Sequence, residues 1–276
     1  MKNINWRKFL VSSITILFAV IWLVPLVWML STSLKPESQV VSWPINLIPE
    51  NFSLKNYSQL LLGKDVPVFR WFFNSTVVAT MTTIIVLFID ALAAYAYARM
   101  KFKGRDTIFW ILMATMMIPP TTNLIPNYIM MDKFGWINTY NAMIFPRTAS
   151  VFGVFLLRQF FIGLPKDLED AARIDGCNQF QTFYKIILPL TKPALIVLGI
   201  FTFRGSWNSF LWPLIVTNSE KIRPLTPALS LLQDNYATQY GKLMAGAFIS
   251  AIPVIIIFFF VQRYFVQGIS LTGMKG

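Results

Sequence analysis

The fold is decided by the segment Asp167–Pro189, DLEDAARIDGCNQFQTFYKIILP, a polar and charged stretch between two long apolar segments. It concentrates charge in a chain of which only 13% of the residues are charged. Pro165 and Asp167 suit the start of a helix, and Gly176 suits a left-handed C-terminal cap. We therefore expect two short helices separated at Gly176. The first, of about nine residues, would be roughly 13 Å long, which is too short to cross a bilayer but long enough to fit a groove in another protein.

The first of these helices is expected to be amphipathic. Its apolar side chains are spaced i, i+3, i+4 and should share one face: Leu168, Ala171 and Ala172. Its charged side chains should lie off that face: Glu169, Asp170 and Arg173. This arrangement would present charge to a partner.

The composition indicates a polytopic membrane protein. The chain has 276 residues, 55% of them hydrophobic, with a mean hydropathy of +0.57, and its apolar runs are longer than a soluble core requires. The net charge of +12 would suggest nucleic acid in a soluble protein, but here basic residues flank apolar segments, so no nucleic-acid partner is expected. A single cysteine, Cys177, and the absence of histidine exclude an intrachain disulfide and a His/Cys metal site.

Six apolar segments are long enough to span a bilayer, at about 20 residues each. They are residues 10–33, 72–98, 107–129, 141–161, 193–216 and 243–266. The basic N-terminus and the short loop Arg99–Arg105 predict that both termini and this loop lie inside, on the cytoplasmic face of the plasma membrane. Lys103 and Lys185 should then be inside and Lys64 outside, as should the loop Thr217–Lys242.

Prolines interrupt three of these segments. Pro119-Pro120 must kink or break the third, because neither residue offers an N–H and each disfavours a helix before it. Pro213 and Pro253 are expected to act in the same way. Either a packing kink or an opened backbone that lines a pathway would explain them.

Two charged residues lie deep within predicted spans. Asp90 and Arg204 should sit roughly 13–17 Å from the inner ends of their helices, where a lone charge is costly. We expect them to face each other as an ion pair, although contact with another subunit or with a translocation path would also explain them. Arg147, near an outer end, could extend to the interface. Next to Arg204, Trp207 and Asn208 offer an aromatic face and an amide, groups that bind hydroxyl-rich ligands.

The sequence offers no catalytic apparatus. A phosphate-binding loop requires a specific glycine and hydroxyl pattern around Gly-Lys, and both Gly63-Lys64 and Gly241-Lys242 fail it. Without histidine, no Ser/His/Asp or Cys/His set can form. The chain is therefore not expected to be an enzyme, and ATP, if it drives transport, would bind to another chain.

The charged segment resembles the EAA loop of the membrane subunits of binding-protein-dependent ABC importers. That pattern is E-A-A, three residues, G, nine residues, I-x-L-P. Its positions correspond here to Asp170-Ala171-Ala172, Gly176 and Ile186-x-Leu188-Pro189. The spacing matches throughout, and the one departure is Asp170 in place of Glu.

Further segments resemble carbohydrate-importer permeases, most closely the maltose-type second permease subunit, from about Asn74 to the end of the chain. They are Ile125-Pro126, Gly135–Thr139, Arg158–Phe161, Trp207–Leu214 and the ending Val266–Gly268 with Met274–Gly276. The resemblance implies an all-α polytopic membrane protein with six transmembrane helices and a cytoplasmic EAA coupling helix. The resemblance assigns residues 72–276 to the transporter core, and the hydropathy pattern predicts an N-terminal helix and extracellular loop over residues 1–71.

The resemblance also implies the sites. The residues expected to couple to the ATPase are Glu169, Asp170, Ala171, Ala172, Asp175, Gly176, Ile186, Leu188 and Pro189. The residues expected along the substrate pathway are Arg204, Trp207, Asn208 and Asn123. The tail Gly268–Gly276 would contact the ATPase pair, and the loop Thr217–Lys242 would reach the binding protein.

The implied function is that of one permease subunit of an ABC importer for a carbohydrate, which works by alternating access. Its partners would be a second permease subunit, two ATP-binding subunits, an extracellular solute-binding protein and membrane lipid. ATP and Mg would be bound by the ATPase subunits, with no cofactor in this chain. The alternatives are a permease for glycerol phosphate or a polyol, an ion-coupled secondary transporter, and a membrane-embedded enzyme.

Overall fold

A computed structural model describes residues 6–44, 46–63, 66–232 and 239–272, with side chains as far as Gln262. In these ranges all regular structure is helical. The α-helices are α1 (Trp6–Ser33), α2 (Glu37–Val40), α3 (Lys55–Leu62), α4 (Val68–Arg99), α5 (Arg105–Ala114), α6 (Leu124–Lys133), α7 (Tyr140–Ile144), α8 (Val151–Ile162), α9 (Asp167–Ile174), α10 (Gln179–Thr182), α11 (Leu188–Leu190), α12 (Lys192–Trp207), α13 (Leu211–Val216), α14 (Leu225–Ser230) and α15 (Tyr240–Thr272). Tighter 3₁₀ turns cover Thr115–Met117, Pro120–Asn123 and Phe145–Arg147, and a π-helical turn covers Phe183–Ile187.

Three of the helices are individually long and apolar enough to cross a membrane: α1, α4 and residues 240–262 of α15. Three further pairs qualify only if each bent pair counts as one span. These pairs are Arg105–Met117 with Pro120–Lys133, bent by 93°, Tyr140–Arg147 with Val151–Ile162, bent by 45°, and Gln179–Leu190 with Lys192–Trp207, bent by 78°. The described residues thus contain between three and six candidate spans.

The chain divides into two compact units. The first comprises the chain up to Phe69 together with Ala228–Pro253. In this unit the buried Asn56 donates from Nδ2 to the Ser33 and Lys35 carbonyl oxygens, at 2.9 Å each. The Glu37 carboxylate accepts from the first backbone N–H groups of α15, those of Tyr240 and Gly241. An acid at a helix N-terminus satisfies N–H groups that have no partner within the helix.

The second unit comprises Arg70–Pro227 and the chain from Val254 onward. Its main core joins α4, α8, the π-helical turn and α12, with Leu157, Phe161 and Ile187 fully buried. Tyr95 of α4 contacts the rings of both Phe161 and Phe183, with centroids 6.2 and 5.0 Å away. This core therefore packs the segment that follows α9 against two of the long helices.

The proline predictions have mixed outcomes. The break at Pro119-Pro120 is confirmed: the helix ends before Ile118, which is extended, and the chain turns by 93°. Pro213 causes no break, because it is the third residue of α13, where an N–H has no helical partner anyway. The fifth predicted span is instead interrupted at residues 208–210, so it is not one helix over 193–216. Pro253 lies within the continuous helix α15.

Candidate functional site

The segment Asp167–Pro189, called the coupling segment below, forms the predicted pair of short helices. The first, α9, ends in a Schellman motif, in which the Cys177 N–H donates to the Ala172 carbonyl at 2.9 Å and the Gly176 N–H to that of Arg173 at 3.0 Å. Gly176 has φ +79°, so its predicted role as a left-handed cap is confirmed. Asn178 then begins α10 with a capping box, exchanging two 2.8 Å bonds with Gln181.

The predicted faces of α9 need correction. Leu168 is 39% exposed and Ala171 is exposed, whereas Glu169 is only 5% and Ala172 only 2% exposed. The exposed side of α9 and its cap therefore carries apolar, acidic and basic side chains: Asp167, Leu168, Asp170, Ala171, Arg173, Ile174 and Asp175. Farther along, Ile186 and Leu188 are half-buried and Pro189 is exposed.

Glu169 is buried because Arg99, the last residue of α4, neutralises it. Arg99 Nε lies 3.0 Å from Glu169 Oε1, and the two side chains are 4% and 6% exposed. The approach is an ion pair by distance, without the angle of a hydrogen bond. Arg99 Nη2 also donates to the carbonyl oxygens of Phe161, at 2.5 Å, and Leu164, at 2.7 Å. We call this group of contacts the Arg99 clamp.

The second feature is a cavity of 740 Å³ at three interruptions of the helices. One wall comes from the turn Pro120–Asn123, one from the end of the turn Phe145–Arg147, and one from the interruption at residues 208–210. The lining groups include amides, hydroxyls, a cation and an aromatic ring: Asn123, Asn127, Asn208, Thr121, Ser150, Ser209, Arg147 and Trp212. An opened helical backbone at membrane depth is tolerated where it lines a cavity.

Two of the four residues expected along the substrate pathway, Asn123 and Asn208, line this cavity. The other two do not: Trp207 is 2% exposed and stacks on Phe203, with centroids 5.7 Å apart, and Arg204 is exposed outside the cavity lining. Two further residues that were not expected there from the sequence line the cavity: Arg147, which was placed at the interface, and Trp212, whose Nε1 donates to the Ala142 carbonyl at 2.8 Å.

The expected Asp90–Arg204 ion pair is wrong: none of the ion pairs in the described residues joins them. Asp90 is fully buried and accepts the Ser150 N–H at 3.2 Å. Ser150 precedes α8 and caps it by accepting the Gly153 N–H at 3.1 Å. Oδ1 of this carboxylate therefore meets the N-terminus of α8, an end that favours negative charge, instead of a guanidinium, while Oδ2 is buried without a hydrogen-bond partner among the described residues.

Comparison with known proteins shows which family this chain resembles. Residues 90–271 match the model of the "binding-protein-dependent transport system inner membrane component". The chain is 38% identical to the arabinooligosaccharides transport system permease protein AraQ of Bacillus subtilis, over 94% of this chain and 93% of that protein. It is 31% identical to the lactose transport system permease protein LacG of Rhizobium radiobacter, over 93% and 92%. It is 33% identical to the trehalose/maltose transport system permease protein MalG of Thermococcus litoralis, over 95% and 94%.

The fold also matches a solved structure. A chain of a bacterial ABC transporter involved in the import of the acidic polysaccharide alginate superimposes with a TM-score of 0.83, at 23% identity, over 96% of this chain and 98% of that one. At this identity the likeness concerns the fold. The sequence matches extend over nearly the whole length of both partners, and they include the coupling segment and the cavity. The chain therefore belongs to the binding-protein-dependent inner membrane components of ABC transport systems, that is, to the permease subunits of ABC importers.

Proposed function

We propose that this permease subunit translocates a carbohydrate, an oligosaccharide, across the plasma membrane, and that the 740 Å³ cavity is part of its path. The observation that carries the proposal is the convergence of three helix interruptions on one cavity lined by amides, hydroxyls and Trp212. Saccharides are bound by such groups through hydrogen bonds to hydroxyls and through contact of an aromatic face with the ring. Relatives named for arabinooligosaccharides, lactose and trehalose/maltose support the same substrate class.

The coupling segment would bind the ATPase subunits through the exposed side of α9. Asp170 and Asp175 would meet basic groups there, and Leu168 and Ile174 would fill apolar positions. Ala171 would allow close approach, whereas Ala172 and Glu169 hold the helix from inside. Nucleotide and Mg would bind to the two ATPase subunits, and closure of that pair would rotate the helices of this chain and of a second permease subunit as rigid bodies.

The solute-binding protein would dock on the predicted extracellular side, at the loop Thr217–Lys242. The start of the predicted outer loop is fixed there: Asn138 Oδ1 accepts from the N–H groups of Asn218 and Ser219 at 3.0 Å each, and Asn74 Nδ2 donates to the carbonyls of Lys221 and Arg223 at 3.1 and 2.9 Å. A fixed loop can oppose the binding protein without ordering on contact. The tip of that loop, Lys64 and the last four residues lie outside the described residues. Both termini would be cytoplasmic.

Transport in proteoliposomes tests the substrate class. The complex of this chain with its partner permease and ATPase subunits is reconstituted into liposomes that contain ATP. The binding protein is added outside, so that complexes whose ATPase subunits face the lumen can support uptake. Labelled arabinooligosaccharides, lactose, maltose and glycerol phosphate are compared. ATP-dependent uptake of a saccharide, reduced by Asn208→Ala, is the expected result. Uptake of glycerol phosphate alone would refute the saccharide proposal.

An anionic saccharide is the second candidate substrate, because Arg147 is exposed where it lines the cavity. A guanidinium matches the geometry of a carboxylate or sulfonate through two parallel bonds. A relative is named for sulfoquinovosyl glycerol, from Agrobacterium fabrum, at 34% identity over 92% of this chain. If the substrate is anionic, Arg147→Gln should reduce uptake of a uronate oligosaccharide but leave uptake of its neutral analogue unchanged. Equal effects on both would exclude this candidate.

A further inference from the structure

We propose that Arg99 is a positioning residue for energy coupling. In this view it connects the coupling segment to the ends of α4 and α8, so that a displacement of α9 is passed to both helices. The inference deepens the proposed function and rests on it, because it assumes that α9 binds the ATPase.

One guanidinium joins three elements. Arg99 ends α4, Phe161 lies in the last turn of α8, Leu164 follows that helix, and Glu169 lies in the first turn of α9. The last carbonyls of a helix have no partner within it and carry negative partial charge. A cation at this position therefore stabilises the end of α8, and the same cation neutralises Glu169.

The ion pair of the Arg99 clamp is buried, and this makes it costly to separate. Of the four ion pairs in the described part of the chain, Arg99–Glu169 alone has both side chains below one tenth exposed. The pair Arg173–Asp170 on the outer side of α9 is 58% and 65% exposed, so water and salt weaken it. Separating a buried pair leaves an uncompensated charge, which costs far more than separating an exposed one. Movement of α9 without α4 and α8 is therefore strongly disfavoured.

The clamp also divides the roles of two adjacent acids. Glu169 faces inward, where it can hold α9 but cannot reach another subunit, and Asp170 faces outward. Neither the charge pattern nor the EAA spacing separates these roles. The structure assigns Glu169 to transmission within the chain.

Arg99→Lys is the variant that isolates the geometry. It keeps the positive charge beside Glu169, but an ammonium group cannot serve a carboxylate and two carbonyls in the fixed fork of a guanidinium. We expect the complex to assemble and hydrolyse ATP, with binding-protein stimulation reduced about 2- to 30-fold, the range for residues that carry coupling between sites. Lys103→Gln is the matched control: it removes an exposed cation four residues away and should leave stimulation unchanged.

A second measurement follows the clamp within this chain. Spin labels on cysteines at Ile162 and Ile174, both exposed, report the distance between the ends of α8 and α9 in a Cys177→Ser background. The distribution of distances between the two labels should be narrow in the protein with Arg99 and broader in the Arg99→Lys variant. If Arg99→Lys prevents assembly, Glu169→Gln replaces it in both measurements. It keeps the shape and the two carbonyl bonds, and the same changes are expected in a weaker form.

The two measurements separate the possible failures. A broader distribution together with lost stimulation supports the proposal. An unchanged distribution overturns it, and so does a broader one with normal stimulation, because the clamp would then not serve coupling. If the unmodified complex shows no stimulation by loaded binding protein, the proposed function fails, and this inference fails with it.

Discussion

The contact between α4 and α8 is so close at Gly153 that a single methyl group should disrupt it. A Cβ at Gly153 would overlap Asp90 Oδ2 and lie 3.0 Å from Asp90 Cγ and 3.1 Å from Leu198 Cδ1. Asp90 is fully buried and Leu198 is 1% exposed, so neither can move into solvent. To make room, the carboxylate must leave the Ser150 N–H.

The free-energy cost follows from these contacts. Overpacking a buried site typically costs about 1–3 kcal/mol, and loss of a hydrogen bond to a charged group about 1.5–3 kcal/mol. Replacing a helical glycine with alanine returns up to about 1 kcal/mol of helix propensity. Gly153→Ala should therefore destabilise the chain by about 2–5 kcal/mol.

Thermal unfolding of the purified complex, at one heating rate throughout, measures the effect. Gly199→Ala is the matched control, because a Cβ there would meet Leu87 and Thr83 at ordinary contact distances of 3.5 and 3.8 Å. Gly153→Ala should lower the unfolding midpoint by several degrees, and Gly199→Ala should not. In an Asp90→Ala background the overlap with the carboxylate is gone and only the contact with Leu198 remains, so Gly153→Ala should cost much less. Equal midpoints for the two glycine variants would refute this reasoning.

Three further predictions concern the helix cap at Gly176, the predicted outer loop and the membrane topology. Gly176→Leu forces a Cβ into the left-handed region, at about 1–2 kcal/mol, and should reduce binding-protein stimulation of ATP hydrolysis; an unaltered response would show that the cap does not orient α9. Asn138→Gly permits the observed φ of +62° but removes two hydrogen bonds worth about 1 kcal/mol each, so it should weaken binding-protein docking in a binding assay, and an unchanged Kd would contradict it. In a Cys177→Ser background, a cysteine at Lys221 should react with an impermeant maleimide in intact cells and one at Lys103 should not; the reverse labelling would invert the proposed topology.

The features that sequence predicted well are local ones. The left-handed Gly176 and the break at Pro119-Pro120 depend on the conformational limits of single residues and their neighbours. The family resemblance depends on a spacing within one segment, and it correctly indicated the class of protein. Asn123 and Asn208 line the cavity, and their place on the substrate pathway stays a prediction.

The features that sequence could not predict depend on contacts between distant residues. Arg99 and Glu169 are separated by 70 positions, so the α9 pattern alone placed Glu169 on the outside. Asp90 was paired with Arg204 on the basis of depth, but the group that donates to it in the structure is the Ser150 N–H at the start of α8. A backbone N–H group belongs to nearly every residue, so the sequence does not reveal which one will face a buried carboxylate. The available signal for the clamp was the position of Arg99, which is the last residue of an apolar helix and the first of a basic loop.

The central claim is that the coupling segment links ATP hydrolysis in the ATPase subunits to movement of this permease. Substitution of Asp170 tests it most directly. The measurement is ATP hydrolysis by the purified complex in lipid, with and without substrate-loaded binding protein. Asp170→Lys should leave the chain inserted and assembled but abolish the stimulation, because the reversed charge would face the basic partner expected on the ATPase. Asp170→Glu, which keeps the charge, should respond normally. Full stimulation of the Asp170→Lys complex would contradict the account.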